Sequence, residues 1–95
     1  MKKFVFIYNH HEEPTKELFE AWTAWFKTIE NPIDMGSPFG EAKEVNGDSV
    51  TDIAVADHRA GGYTIINATD MDEAVEIASR CPGGVGVRVY EAKPM

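Results

Sequence analysis

A chain of 95 residues fits one domain, 1–95, and sits near the lower end of what buries a self-sufficient core, so a second copy covering leftover apolar surface is expected. Nine Lys and Arg against sixteen Asp and Glu give a formal charge of −7, the wrong sign for a nucleic acid or an anionic membrane surface as partner. The single cysteine cannot form an internal disulfide, so nothing asks for an oxidising compartment and a cytoplasmic protein is expected.

The opening MKKFVFIYNHHEE carries an apolar run too short for a signal-peptide core, and no small-residue cleavage site follows it. Phe4, Phe6 and Tyr8 alternate with Val5 and Ile7, which predicts a strand with both faces covered. After the polar run NHHEEPT, Leu18, Trp22, Trp25 and Ile29 recur at helical spacing with Phe19 and Phe26 beside them, a broad apolar stripe. Pro14 suits the first turn of that helix, and Asn31-Pro32 stops it. In the next segment Asn46-Gly47 signals a hairpin turn, placing one strand near 42–45 and an extended piece near 50–55. GYTIINA predicts a strand over 63–67. Asp70 and Glu73 have capping-box spacing, so a second helix starts there, with Met71, Ala74, Val75 and Ala78 as its stripe and Cys81-Pro82-Gly83-Gly84 as its end. Val85, Val87 and Val89 then alternate with Gly86, Arg88 and Tyr90 in a last strand. No stretch is long enough to span a bilayer, and there is no repeat or low-complexity segment.

This order predicts an α+β fold: a ferredoxin-like βαββαβ protomer whose antiparallel sheet carries two helices on one face. The other face needs a cover, and the same face of a second subunit about a two-fold axis supplies one, giving a homodimer.

Taken together, FVFIY, the spaced pair in WTAWF, DMGSPFG, GGYTIINATDMDEAVEIA and the end CPGGVGVRVYEAKPM resemble the YCII-related family, in the branch that includes the DGPF-domain proteins. The likeness covers the chain apart from NGDSVTDIAVADHR; it rests on the order and spacing of these pieces. It implies a dimeric α/β barrel with a cleft between sheet and helices proposed as an active site. In members with suggested catalysis, a first-helix histidine pairs with an aspartate preceding a proline after the second helix. Here the first-helix region offers Trp22 or Trp25, and Cys81 precedes Pro82, so both halves of that pair are replaced. The family also includes an enzyme that removes chloride from a chlorinated aromatic ring, which implies lyase-type chemistry as one possibility.

The candidate residues are weighed on their own chemistry. A reactive thiolate is favoured at a helix N-terminus or beside a cation, whereas Cys81 follows a last turn whose partial charge is negative; Arg88 is the nearby strand cation that would reverse this. The plainer reading packs Cys81 as a small hydrophobe. His10, His11, Glu12 and Glu13 are consecutive, and His58 neighbours Asp57, but neither spacing locks two ligands on one face, so no metal and no cofactor is expected. His11 is the candidate general base because strand ends border clefts in this fold, and Asp34 is the acid nearest the turn expected at GSPFG. A stripe such as Trp22, Trp25 and Phe26 is ordinarily core. Yet two tryptophans on a short helix could line a flat slot which, with Phe39, with Arg88 and Tyr90 of the last strand and with Tyr8 and Tyr63, suits a small aromatic or anionic ligand, and Cys81 is a further candidate ligand-binding residue. Internal ion pairing of Arg88 with Glu91 or Asp34 is the competing reading. Two functions follow: a cofactor-free acid/base enzyme using His11 or Asp34 with Arg88 holding an anionic substrate, or a non-catalytic dimeric module binding a small ligand or a protein.

Overall fold

Phe4, Phe6 and Tyr8 all turn to one side of the first strand and are 0%, 0% and 5% exposed, while Val5 and Ile7 on the other side stay half-buried. That asymmetry organises the molecule. The structure is a computed structural model, and it describes residues 1–9, 15–54, 59–82 and 86–95. Its elements are β1 (Lys2–Asn9), α1 (Lys16–Lys27), β2 (Pro32–Pro38), β3 (Lys43–Asn46), β4 (Ser49–Asp52), β5 (Ala60–Ala68), α2 (Met71–Ser79) and β6 (Val87–Ala92). The expected roles of Pro14, Gly83, Gly84 and Val85 lie outside the described residues.

Four strands form one antiparallel sheet in the order β2-β5-β1-β6. Helix α1 leads from β1 to β2 with β5 between them, and α2 leads from β5 to β6 with β1 between them. This α+β arrangement is compatible with the ferredoxin-like split βαβ pattern. The registers Phe4↔Ile66, Phe6↔Thr64 and Tyr8↔Gly62 put the buried residues of β1 and β5 on one face, joined from β6 by Val87 opposite Tyr8 and Val89 opposite Phe6.

Both helices cover that face. Trp22, Trp25 and Ile29 of the α1 segment and Ala74 and Ala78 of α2 belong to the same core cluster as Phe4, Phe6 and Ile66. The two alanines let α2 sit close to the sheet. Trp25 joins the helices, its Nε1 donating to the Ile77 carbonyl at 3.2 Å. Thr15 caps α1 by accepting from the Leu18 amide, and Asp70 caps α2 by accepting from the Glu73 amide at 2.9 Å. Glu73 Oε1 accepts from the Thr69 amide, one residue before the cap itself, so the expected capping box closes one position early. Met71 and Val75, expected in the buried stripe, are 40% and 49% exposed.

The second strand of the sheet is not where the sequence places it. The stretch 32–38, expected to end a helix and form a tight turn, is β2, an edge strand whose register on β5 shifts twice, between Pro32 and Asp34 and between Asp34 and Ser37. Prolines are tolerated there because an edge strand need not donate on its outer side. Gly36 has φ +84°, and a Cβ on it would stand 1.5 Å from the Tyr63 carbonyl oxygen, so glycine here permits a close backbone approach inside a strand rather than a turn. The hairpin forms as expected, with strands shifted to β3 and β4 and turn residues Gly47 (φ +61°) and Asp48. It forms a separate two-stranded sheet, exposed along both strands.

The molecule is a slab of 41 × 39 × 18 Å. Its radius of gyration, 14.4 Å, exceeds the ~12.5 Å of a compact chain this long, consistent with a projecting hairpin. No helix among the described residues is long and apolar enough to cross a membrane.

Candidate functional site

Where α1 crosses the β2 end of the sheet, a cleft of about 320 Å³ opens, bounded by Tyr8, Phe19, Trp22, Phe26, Pro38 and Gly62 among others. This is within the range of small-molecule sites. The helical spacing of residues 19, 22 and 26 lines three rings along one side of α1. Trp22 meets Tyr8 edge to face at 5.1 Å and Phe26 at 5.7 Å. Phe19, also lining the cleft, is a large ring left 64% exposed to solvent. On the sheet side, a Cβ at Gly62 would lie 3.1 Å from the Ser37 carbonyl oxygen, so the absent side chain lets β2 close the floor.

The polar feature of this cleft is a short relay. Tyr8 donates its hydroxyl proton to Thr64 Oγ1 at 2.7 Å, and Thr64 donates in turn to the Met35 carbonyl at 3.0 Å. Both hydroxyl protons are spent inside the protein, which leaves the Tyr8 oxygen an acceptor toward a ligand. Burial pushes the Tyr8 phenol well above its ordinary range, so it remains protonated. No Asp, Glu, His, Lys or Arg is among the described residues lining the cleft.

The structure divides the expected site between the two faces of the sheet. Tyr8, Trp22 and Tyr63 all contribute to the lining of the cleft. Trp25, 5% exposed with its indole N–H bound to α2, is core. Tyr63 alternates with Gly62 and Thr64, so its ring points to the opposite, helix-free face, where Phe39 stacks on it at 5.7 Å. Its hydroxyl donates to Asp34 Oδ2 at 3.0 Å, and Asp34 Oδ1 accepts from the Gly36 amide at 2.8 Å. Asp34 thus secures the irregular β2 backbone. It also raises the Tyr63 phenol, first by accepting its hydrogen bond and then by its charge. Arg88 sits opposite Ile7, exposed on the same open face toward the other edge. Ion pairs among the described residues are those of Lys43 with Glu41 and Asp52. The structure brings Tyr8, Trp22 and Tyr63 to one cleft and leaves Trp25 and Arg88 out of it: Trp25 is core, and Arg88, Phe39 and Asp34, with the ring of Tyr63, lie on the helix-free face.

Cys81 lies in a second groove of about 540 Å³ between α2 and β6, with Met71, Val75, Val87 and Val89. Desolvation pushes its thiol up to about 11, and Sγ approaches the Pro82 carbonyl at 3.6 Å. The environment is that of a packed thiol. His11, the candidate base, lies outside the described residues, as do His10, Asp57 and His58. No cluster of three His, Cys, Asp or Glu among the described residues could hold a metal ion.

Neither Thr64 nor Phe19 was among the expected site residues. The register of Thr64 with Gly62 and Ile66 was the available signal, since residues two apart in a strand share a face; Phe19 was visible as an aromatic beside the stripe. No family model matches the chain, and no curated protein or solved structure matches it.

Proposed function

We propose that this protein binds a small, flat, uncharged aromatic compound in the cleft between α1 and the β2 end of the sheet. The observation that carries the reading is the lining: rings from α1 facing a sheltered tyrosine hydroxyl, with no ionisable carboxylate, imidazole or cation among the described lining residues. An apolar slot favours a ring by area burial and stacking, and one hydroxyl oxygen orients a ligand that can donate to it, such as a phenol. A carboxylated ligand fits less well, because the guanidinium meant to neutralise it is on the other face. Of the two functions, the non-catalytic binding module is the better supported. Asp34 is exposed and committed to Tyr63 and Gly36, so it is a poor proton carrier for this cleft.

The same reading takes the chain as a YCII-related, cytoplasmic homodimer of the dimeric α/β barrel type. The order and spacing of FVFIY, WTAWF, DMGSPFG and CPGGVGVRVYEAKPM support the family. The open sheet face supports the assembly: Val5, Ile7 and Ile65 lie side by side there, half-buried, on the side without helices.

Intrinsic tryptophan fluorescence tests the cleft. Simple phenols should quench or shift the emission saturably, Trp22→Leu should abolish the response, and Arg88→Ala should leave it intact. A response confined to carboxylic acids and lost in Arg88→Ala would overturn the assignment.

A further inference from the structure

The two edges of the four-stranded sheet are built differently. Strand β2 carries Pro32, Pro38 and two register shifts, devices that stop an edge from pairing with another chain. Strand β6 carries none of them. It pairs with β1 from Val87 to Ala92 in unbroken register, and β1 is its one strand neighbour among the described residues.

The direction of its free backbone groups follows from one hydrogen bond. The Asn9 amide donates to the Gly86 carbonyl at 2.9 Å, in the same register that sets Tyr8 opposite Val87. In an antiparallel ladder, bonded and non-bonded pairs alternate. Arg88, Tyr90 and Ala92 therefore bond to β1, and Val87, Val89 and Glu91 turn their N–H and C=O groups outward. Val87 and Val89 also face the α2 groove of about 540 Å³, whose helix side, Met71 and Val75, is 40% and 49% exposed. Unpaired strand backbone beside an open apolar groove is what an added strand requires: main-chain bonds hold it and alternate side chains enter the groove.

We infer that β6 is a second self-association edge, which takes β6 of another copy antiparallel to it and joins two four-stranded sheets into one of eight strands. The backbone hydrogen-bonding pattern of β6 is self-complementary when the two-fold axis passes through Val89. All three outward-facing residues then find partners, Val89 with Val89 and Val87 with Glu91. On the open face Arg88 lies opposite Tyr90 of the other copy, a cation over a phenol ring, and Tyr90 opposite Arg88. This contact is independent of the cleft and uses a different surface from the open-face dimer, so the two together would make a tetramer.

The test is native mass by analytical ultracentrifugation across a concentration series. Val89→Pro removes an outward amide without touching the β1 ladder, and Val75→Glu places a carboxylate in the groove at an exposed position. Either should halve the mass of the parent at a given concentration while circular dichroism and melting stay close to the parent. If Val89→Pro fails to fold, Val75→Glu decides alone. A parent that is monomeric throughout overturns the proposal, as does a mass unchanged in a folded Val89→Pro or in Val75→Glu. Ile65→Glu, on the open face, separates the two contacts: a dimer it dissociates, but Val75→Glu does not, keeps the open-face dimer and rejects the β6 edge.

Discussion

The relay from Tyr8 through Thr64 to Met35 ties the cleft to β2 with two hydrogen bonds that differ in what their loss would leave behind. In Tyr8→Phe the Thr64 hydroxyl still donates to Met35, so one net bond is lost, on the order of 1 kcal/mol. In Thr64→Val both bonds are lost, the one from Tyr8 and the one to Met35, at about 1 kcal/mol each. The smaller chemical change at residue 64 should therefore be the more damaging. Urea unfolding of the two variants measures this directly, and a larger loss in Tyr8→Phe would mean that the tyrosine oxygen is held by something other than Thr64. Binding should rank the other way. Tyr8→Phe deletes the acceptor offered to a phenol, whereas Thr64→Val keeps it and frees its proton.

Elements whose apolar residues recur at one clear period were legible in the sequence: β1 from alternation, α1 and α2 from helical stripes, β6 from its valines. Strand β2 was not, because PIDMGSP has neither alternation nor β-branched density, and its two prolines and glycine read as punctuation. Only the neighbouring strand makes it a strand. The site failed for a related reason. Alternation in GYTIINA divides Tyr63 and Ile65 from Thr64 and Ile66, but each set holds one isoleucine and one polar-tipped residue, so nothing local says which set the helices cover. Tyr63 was accordingly grouped with Tyr8, and both line the cleft, but the Tyr63 ring stacks on Phe39 on the helix-free face. The β3–β4 hairpin shows the opposite case, a local signal strong enough to form its element with little help from the rest. Val45 and Val50, paired across it, are 63% and 61% exposed, and a lone two-stranded hairpin is marginal in water. Its removal should cost the main sheet little. Replacing residues 43–52 with Gly-Ser retains Ile53, whose carbonyl accepts from Arg59, and should shift the unfolding free energy by less than about 1 kcal/mol, given how weakly loop length acts. Chemical denaturation checks it. A loss of several kcal/mol would show that the hairpin braces the sheet.

At the scale of the whole molecule, the fold holds three acids in their neutral form beyond their ordinary range: Cys81 and Tyr8 by desolvation, and Tyr63 by Asp34. The Tyr63–Asp34 hydrogen bond is at the surface, so solvent screening leaves it little weight. The other two couple folding to alkaline pH. The unfolded chain releases the thiol proton near 9.0, while the folded chain keeps it to about 11. Below pH 9 both states are protonated and the fold has its full stability. As pH rises from about 9 toward 11 the unfolded state loses its proton first, and stability falls with it. Tyr8 extends the decline above 10.0, its ordinary value, because its folded-state proton is held more tightly still. Denaturation midpoints should thus be flat from pH 7 to about 9 and fall beyond, with Cys81→Ala losing the earliest part of the fall and Tyr8→Phe the later part. Both side chains pack on the one helix-covered face, so the decline reports on the single core. A parent midpoint that holds through pH 11, or a Cys81→Ala profile that matches the parent between pH 9 and 10, would show that water reaches the α2–β6 groove in the native state and leaves Cys81 as ionisable in the folded chain as in the unfolded one.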